Sequence, residues 1–495
     1  MLKRIESLFG GRSWLLSVTL LFGVGLFLRL FRIYESATFL GDQGRDALVM
    51  FDITTLRHLP ALGPITSVGS IFLGPLYYYL MAPWLALTFF NPIGPAIGVA
   101  LINSISLPLQ YLAVKEMIDK KVALLSVTLA TFSWVLIEYS RFSWNPNLLP
   151  QVTFFSVYTL YKIVHTKKLR YFIAHGALLS LAVQLHYLAV FLLPITIVVL
   201  LINDLNEKKK TLLLHLGNTT VLGLSFILPF APFILFETLH SFPNVRSILH
   251  FSSTNSGAST TPFITEVFTT VQNMTLYAFQ QTVIDRIAAL IVLGLITIFI
   301  VALKQKRALT YVAGPLLILI LGTSLYKGPK YAHYLGGMYI LLYVIASSLL
   351  ISLLNKSRLV GLCVTGVLIA LFLSMNIPKY YYLFEREHQN QIEKARQTAD
   401  TIISMDPGDS FTLTSSPDAY ADYPYRYFLL SMGHAAIAKE ADSYANPKNL
   451  FIVCETDCNP MNDPQWAVAH FNATEISSMK KVSRYPWITV YKLTH

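Results

Sequence analysis

Long apolar stretches separated by short polar segments run along the chain as far as residue 377. A helix that rises 1.5 Å per residue needs about 20 apolar residues to cross about 30 Å of hydrocarbon. The pattern therefore predicts an all-α polytopic membrane protein with about eleven transmembrane helices. The predicted spans are 13–33, 93–114, 122–139, 148–164, 171–186, 188–203, 211–236, 284–303, 308–326, 335–354 and 359–377.

The Lys and Arg residues of this part of the chain form six short clusters between the apolar stretches. Cytoplasmic loops of membrane proteins carry an excess of Lys and Arg, so we expect all six clusters on the cytoplasmic side. The clusters are Lys3/Arg4/Arg12, Lys115/Lys120/Lys121, Lys167/Lys168/Arg170, 208–210, Lys304/Lys306/Arg307 and Lys356/Arg358.

One further apolar stretch, 71–90, is interrupted by Pro75 and Pro83. If all six basic clusters lie inside, segment 34–92 must start and end outside, and 71–90 cannot cross completely. We therefore expect an interfacial or half-inserted helix there. The predicted outer segments are 34–92, 140–147, the turn at His186 and Tyr187, 237–283, 327–334 and the C-terminal region.

The C-terminal region has a different pattern from the rest of the chain. An amphipathic helix is predicted over 383–405, and alternating residues predict strands at 411–414, 450–453 and 488–491. The chain therefore divides into a membrane domain, 1–377, and a small α/β domain, 378–495. We expect a multi-pass protein of the cell inner (plasma) membrane, with the α/β domain extracytoplasmic.

Composition excludes several classes of protein. Hydrophobic residues make up 54% of the 495 residues and charged residues 13%, about half the charged fraction of a soluble domain. A soluble enzyme, a disordered chain and a coiled coil are therefore excluded. The net charge of +11 does not indicate nucleic-acid binding, because the basic residues lie between apolar stretches. Three cysteines are too few for a cysteine-ligated zinc site, although Cys454 and Cys458 could pair in an oxidising compartment.

Candidate chemistry begins in the first outer loop, at Asp42, Arg45 and Asp46. Residues three and four apart share one face of a helix. Two carboxylates and a guanidinium at the membrane interface are costly, so they indicate a functional site. The alternative is that Asp42 caps a helix while Arg45 pairs with Asp46.

Three further outer segments carry polar or aromatic groups. Tyr77 and Tyr78 follow Gly74 and Pro75, where an interfacial aromatic belt is the alternative interpretation. Another outer segment combines Arg141 with Asn145 and Asn147, and snorkelling of the arginine is the alternative there. The last contains Lys327, Lys330, His333 and Tyr334, whose positive charge on an outer loop favours an anion site over lipid headgroup contact. His186 lies at an outer turn, where a purely structural role is the alternative.

Together these segments resemble the GT-C membrane glycosyltransferases, in the branch of the protein O-mannosyltransferases and the lipid A aminoarabinose transferase. The stretch from Asp42 to Ala47 resembles the family's Asp-Glu-x-Arg-Tyr-Ala motif, with Gln43 in place of Glu. The other three segments resemble a Lys-Pro-Pro-Leu-x-Tyr-Trp motif, a Tyr-Ser-Arg turn and an Arg-Tyr-x-x-Tyr motif. Gly74 stands near the place of the family's Lys, and Asn145 or Asn147 stands where an Asp is common.

The resemblance covers residues 13–377 and implies inverting transfer of a sugar from a polyprenyl-phosphate donor to a hydroxyl acceptor. Asp42 inherits the role of general base, with Arg45 and Asp46 beside it. The implied donor-phosphate residues are Lys330, Lys327, His333, Arg141 and Tyr334. The implied substrate-pocket residues are Gln43, Tyr77, Tyr78, Asn145, Asn147 and His186.

The resemblance implies no cofactor, and it predicts no metal ligands while leaving a divalent metal open. The expected partners are the donor, an acceptor and the bilayer. Two alternatives remain: a transporter or flippase for lipid-linked glycans, and a non-catalytic assembly protein with this fold.

Overall fold

The protein is described here from a computed structural model. The structure describes residues 2–66, 71–205, 209–255, 261–305, 307–385, 389–408, 410–437 and 447–495. Lys208 and Lys306 of the basic clusters, and 386–388 of the predicted helix 383–405, therefore lie outside the described residues.

The first 380 or so residues are helical. The α-helices of this part are Leu2–Phe9, Arg12–Leu30, Ile33–Ser36, Gly41–Thr54, Leu76–Leu87, Ile93–Met117, Lys120–Phe132, Trp134–Glu138, Leu149–Thr166, Leu169–Leu185, Leu192–Leu205, Lys209–Ile227, Ala231–Leu239, Pro243–Asn255, Phe263–Phe279, Asp285–Lys304, Thr310–Thr323, Tyr339–Lys356 and Arg358–Asn376. Short 3-10 helices connect them at Asn145–Leu148, Tyr187–Phe191, Leu228–Phe230, Ala332–Met338 and Ile377–Lys379.

Membrane-spanning character is confirmed by the length and composition of these helices. Among the described residues, six helices are long and apolar enough to cross a membrane. Three further apolar helices, Leu169–Leu185, Tyr187–Ile202 and Thr310–Thr323, are shorter. Helical backbone coincides with each of the eleven predicted spans. The number eleven itself stays a prediction.

The predicted span 122–139 is interrupted at Ser133, between helices Lys120–Phe132 and Trp134–Glu138. Two side chains from the last two helices of the membrane domain compensate for the interruption. The Ser133 hydroxyl bonds the Tyr343 hydroxyl at 2.7 Å, and the Trp134 N–H donates to Asn376 Oδ1 at 2.7 Å. The break therefore leaves neither group without a hydrogen bond.

The helix in the uncertain stretch 71–90 is Leu76–Leu87, with 12 residues. At 1.5 Å per residue it covers about 18 Å, which is too short to cross the hydrocarbon core. Tyr77, Met81 and Leu85 on this helix are fully buried in the protein. The helix therefore packs inside the protein, and the side of the membrane on which it lies stays a prediction.

The C-terminal region contains a small four-stranded sheet. Its strands are β1 (Phe411–Ser416), β2 (Asn449–Cys454), β3 (Glu475–Val482) and β4 (Tyr485–Thr494), in the order β1-β2-β4-β3. β1 and β2 are parallel, and the other two pairs are antiparallel. The helices of this region are Tyr381–Phe384, Gln391–Ile403, Tyr423–Ser431 and Trp466–Phe471, with a 3-10 turn at Ala419–Asp422.

The small α/β domain is thus confirmed, with corrections to its elements. The amphipathic helix begins at Gln391 rather than at 383, because Asn390 before it has a left-handed backbone (φ 44°). Strand β3 and helix Tyr423–Ser431 were not predicted. A disulfide joins Cys454 to Cys458.

The sheet domain sits on the first outer loop. The Phe39 N–H donates to Gln391 Oε1 at 2.6 Å, and the Tyr427 hydroxyl donates to the Phe90 carbonyl at 2.5 Å. The ring of Phe39 also packs edge-on against Phe428. These contacts bring the C-terminal domain over the helix that carries Asp42. The boundary at 377/378 stays a prediction.

Candidate active site

The three charged residues of the first outer loop lie together near the start of helix Gly41–Thr54. Arg45 forms ion pairs with both carboxylates: its Nη1 lies 2.9 Å from Asp42 Oδ1, and its Nη2 lies 2.6 Å from Asp46 Oδ1. The helix begins after Leu40, whose N–H donates to the Gln43 side chain at 3.0 Å. Gln43 therefore caps this helix, and Asp42 does not serve as its N-cap.

The two carboxylates have different surroundings. The Asp42 side chain is 37% exposed, whereas that of Asp46 is 1% exposed. Asp46 also accepts a hydrogen bond from the Tyr78 hydroxyl at 3.1 Å. Burial raises the pKa of Asp46, and Arg45 offsets only part of this effect. Asp46 thus holds Arg45 in place through a buried ion pair, while Asp42 remains accessible to solvent.

The arginine between them stays cationic. Burial alone would lower the pKa of Arg45, but the negative charge of Asp46 and of the neighbouring groups raises it above the ordinary value. A guanidinium held between two carboxylates is fixed in position as well as in charge. Asp42 is therefore oriented by a rigid neighbour.

Asp42 and Arg45 form one side of a cavity of about 240 Å³. Among the described residues that line it, Asp42 is the only carboxylate. The remaining lining residues come from the outer loops and the sheet domain; they are Ile65, Thr66, Leu73, Trp144, Asn145, Pro146, His186, Tyr187, His333, Tyr334 and Tyr420. Six predicted site residues thus meet at one cavity.

Two histidines also line the cavity. The ring centroids of His186 and His333 are 5.8 Å apart, and the His333 ring lies 4.6 Å from that of Trp144. His186 Nδ1 accepts the Leu188 N–H at 3.3 Å, so the ring proton is on Nε2. Burial lowers the pKa of His186 to about 3. His186 is therefore a neutral donor at physiological pH.

Tyr420 lines the cavity and contacts Asp42, and the sequence reasoning missed it. It comes from the C-terminal domain, 378 positions from Asp42, and its hydroxyl donates to Asp42 Oδ1 at 2.7 Å. The Tyr420 hydroxyl oxygen accepts a hydrogen bond from Arg45 Nη1 at 2.6 Å. Burial raises the pKa of Tyr420 above its ordinary value, so the phenol keeps its proton. No local pattern in the sequence marks this residue.

The predicted phosphate-binding lysines do not line the cavity. Lys330 is buried and forms an ion pair with Glu266, on a helix that the sequence reasoning missed. Burial opposes the negative charge, but hydrogen bonds from Lys330 and Thr261 lower the pKa of Glu266. Lys327 is exposed on the same loop. His333 and Tyr334, a few residues later, do reach the cavity.

Arg141, which was predicted to bind the donor phosphate, does not line the cavity either. Its guanidinium donates to the carbonyls of Leu28 and Phe31 at 2.9 and 2.8 Å and to the Ser36 hydroxyl. Its Cζ lies 3.5 Å from the ring centroid of Tyr382. Arg141 therefore ties the end of the first span to the C-terminal linker.

The other predicted pocket residues divide between lining and support. Asn145 lines the cavity and donates to the Leu185 carbonyl at 2.7 Å. Asn147 is buried and donates to the Phe142 carbonyl at 2.7 Å. Tyr77 bonds the Ser143 hydroxyl at 2.6 Å, and Tyr78 bonds Asp46. The last three therefore stabilise the walls without lining the cavity.

Within the described ranges, no group of three or more His, Cys, Asp or Glu side chains is arranged to hold a metal ion.

Comparison with known proteins gives a fold, and a likeness to one family over part of the chain. The profile of the family "Dolichyl-phosphate-mannose-protein mannosyltransferase" matches residues 73–233. No curated protein sequence matches the chain. The crystal structure of ArnT from Cupriavidus metallidurans bound to undecaprenyl phosphate superposes with a TM-score of 0.61 at 14% identity, covering 96% of this chain and 97% of ArnT. This chain has the GT-C fold.

Two further structures resemble this GT-C protein. An Archaeoglobus fulgidus oligosaccharyltransferase in complex with Zn and sulfate matches with a TM-score of 0.52 and 12% identity, over 88% of this chain and 67% of the other. The archaeal oligosaccharyltransferase AglB from the same organism, in complex with an inhibitory peptide and a dolichol-phosphate, gives 0.50 and 12% over 88% and 69%. The family profile and the fold together indicate a membrane glycosyltransferase.

Proposed function

We propose that this protein transfers a sugar from a polyprenyl-phosphate donor to a hydroxyl acceptor, with inversion at the anomeric carbon. The donor class is supported by two structural neighbours, one bound to undecaprenyl phosphate and the other in complex with dolichol-phosphate. It is also supported by the matched family, whose description includes dolichyl phosphate mannose. The acceptor is a protein, lipid or glycan hydroxyl.

The observation that carries the proposal is the arrangement at Asp42. Its carboxylate is the only one among the described residues lining a cavity of about 240 Å³. Among the described residues, Arg45 and Tyr420 contact this carboxylate, both at Oδ1, at 2.9 and 2.7 Å. The carboxylate therefore already accepts a hydrogen bond from a hydroxyl group, which is the contact that a general base makes with its substrate.

The proposed step needs one base and one stabilised leaving group. The acceptor oxygen bonds to the anomeric carbon as its proton passes to Asp42. The bond from that carbon to the phosphate oxygen breaks, and its electron pair leaves with the polyprenyl phosphate. The transition state resembles an oxocarbenium ion, as in glycosidases. Because the leaving group is a phosphate, no acid is needed to protonate it.

Positive groups and hydrogen-bond donors must then stabilise the phosphate. We assign this side of the cavity to the segment from Lys327 to Tyr334, because His333 and Tyr334 line the cavity and the two lysines precede them in the same loop. Lys330 would have to exchange Glu266 for the phosphate. Arg141 is assigned a structural role, since backbone carbonyls and Tyr382 already surround it.

The orientation of the protein belongs to the same proposal. The cavity and the sheet domain are on the extracytoplasmic side of the cell inner membrane, with the basic clusters in the cytoplasm. Residues 1–377 form the transferase domain and 378–495 the extracytoplasmic domain.

Release of polyprenyl phosphate tests the proposal. Purified wild type and the Asp42→Asn variant are mixed with undecaprenyl- and dolichyl-phosphate hexoses and pentoses and with an envelope extract as the acceptor source. We expect wild type to release polyprenyl phosphate from one donor, and Asp42→Asn to bind that donor without releasing it. The matched control is Asp119→Asn, which changes a helix cap that does not line the cavity.

Four outcomes separate the candidate functions. Release by wild type alone supports the transferase and its base. Equal release by both proteins would exclude Asp42 as the base. Movement of the intact donor across vesicles without release would favour a flippase, and absence of donor binding would favour a non-catalytic assembly protein.

A further inference from the structure

The hydroxyl of Tyr420 occupies a position that the proposed reaction requires for its acceptor. This hydroxyl lies in the cavity and donates a hydrogen bond to Asp42 Oδ1 at 2.7 Å. An acceptor hydroxyl must make the same kind of contact before it loses its proton. A phenol whose pKa is raised by burial keeps its proton and mimics this contact without reacting.

The position of Tyr420 is fixed by its own loop. The Asp418 side chain accepts the Tyr420 N–H at 2.9 Å and caps the turn Ala419–Asp422. The Tyr420 hydroxyl also accepts from Arg45 at 2.6 Å. The side chain is 37% exposed, so substrate can reach the hydroxyl from the cavity side.

Two glycines allow this close approach. A Cβ atom built on Gly41 would lie 2.2 Å from Tyr420 Cδ1, and one on Gly44 would lie 2.4 Å from the backbone nitrogen of Pro424. Any other residue at Gly44 would push against backbone atoms, which cannot rotate away. Both glycines lie on the first turn of the helix that carries Asp42. The catalytic helix is therefore shaped to accept segment 420–424 of the C-terminal domain.

We propose that Tyr420 is a positioning residue that covers the acceptor side of Asp42, and that the acceptor hydroxyl takes its place. This inference rests on the proposed function. In the empty enzyme the phenol occupies Oδ1 of Asp42 and competes with water for the base, which slows hydrolysis of the donor. When the acceptor binds, its hydroxyl displaces the phenol from Asp42. The C-terminal domain thereby selects for acceptors that can compete with Tyr420 for the carboxylate of Asp42.

Tyr420→Phe tests this inference, because it removes the hydroxyl and keeps the ring. Wild type, Tyr420→Phe and the control Tyr485→Phe are compared as full-length proteins with the donor that wild type uses. Tyr485 lies on β4 of the same domain and does not line the cavity. Two rates are measured: release of polyprenyl phosphate without acceptor, and transfer as envelope extract is titrated.

We expect Tyr420→Phe to raise acceptor-free hydrolysis by about tenfold, since a hydrogen bond to a charged group contributes about that factor. The amount of extract that gives half-maximal transfer should fall, while the maximal rate changes little. Tyr485→Phe should match wild type. A purely structural role for Tyr420 would instead lower the maximal rate without raising hydrolysis.

The outcomes distinguish this inference from the proposed function. If wild type turns over no donor, the proposed function fails and the inference fails with it. If wild type turns over donor but Tyr420→Phe keeps the same hydrolysis and the same half-maximal extract, the inference alone is overturned. Gly44→Ala provides a second variant: it displaces segment 420–424 by steric contact and should raise hydrolysis in the same direction.

Discussion

The two carboxylates that flank Arg45 allow catalysis and stability to be perturbed separately. Asp42→Asn and Asp46→Asn each remove one negative charge from the same guanidinium, at 2.9 and 2.6 Å. The side chains differ in exposure, 37% for Asp42 and 1% for Asp46. We expect the first variant to lose activity and the second to lose stability.

The magnitude for Asp42→Asn follows from its role and its exposure. Removal of a general base costs about 10²–10⁴-fold in rate. An ion pair with a partner this exposed contributes only about 0–1 kcal/mol to folding. An asparagine oxygen still accepts the Tyr420 hydroxyl, so the site should keep its shape. We therefore expect a nearly unchanged melting temperature.

The magnitude for Asp46→Asn is set by burial. Breaking a buried ion pair by removing one partner costs about 3–5 kcal/mol. The asparagine would retain an acceptor for Arg45 and Tyr78, which places the expected loss near the lower end, at about 3 kcal/mol. Its new amide would point where Asp46 Oδ2 has no hydrogen-bond partner among the described residues, which adds an unsatisfied donor.

The assay combines thermal unfolding in detergent with single-turnover release of polyprenyl phosphate, measured below each variant's melting temperature. Asp119→Asn serves as the control for charge removal. The reasoning is refuted if Asp42→Asn unfolds as early as Asp46→Asn, or if Asp46→Asn melts like wild type. Either result would mean that burial does not separate the two carboxylates.

Three further predictions concern other parts of the site. Gly74→Ala should lower stability by about 1–3 kcal/mol, measured by thermal unfolding, because a Cβ there would lie 2.1 Å from Gln184 Oε1. Folding lowers the pKa of His186 from 6.5 to about 3, so between neutral pH and about pH 5 only the unfolded state gains a proton at this residue. The free energy of unfolding should therefore fall by about 2 kcal/mol over that range. His186→Gln should show a smaller fall. Glu266→Leu should cost about 3–5 kcal/mol by leaving Lys330 buried without this carboxylate, and adding Lys330→Met should restore most of it.

The order of apolar and polar residues along the sequence was sufficient to predict those helices and strands that are determined by residues close in sequence. The apolar stretches predicted the membrane helices, and the spacing of Asp42, Arg45 and Asp46 predicted their shared helical face. Helix Phe263–Phe279 was missed because its apolar residues are interspersed with polar ones such as Glu266. Strand β3 was missed because most of its side chains are exposed, so it lacks the alternation of a half-buried strand.

Contacts between distant segments could not be predicted in this way. Tyr420 reaches Asp42 across 378 positions, and Lys330 meets Glu266 across 64. Lys330 and Arg141 were therefore both predicted to bind the donor phosphate, although Lys330 is paired with Glu266 and Arg141 donates to backbone carbonyls. Which charges face the cavity is decided by tertiary packing.

The linker between the two domains has a consequence for how the C-terminal domain acts. Tyr380 and Tyr382 are buried, and their hydroxyls donate to the carbonyls of Phe132 and Leu28 at 2.6 Å each. Only six residues then separate Phe384 from the helix that begins at Gln391. So short a tether gives Tyr420 an effective concentration of about millimolar at the active site. A separately expressed C-terminal domain would have to be supplied at comparable concentration to replace the covalent one.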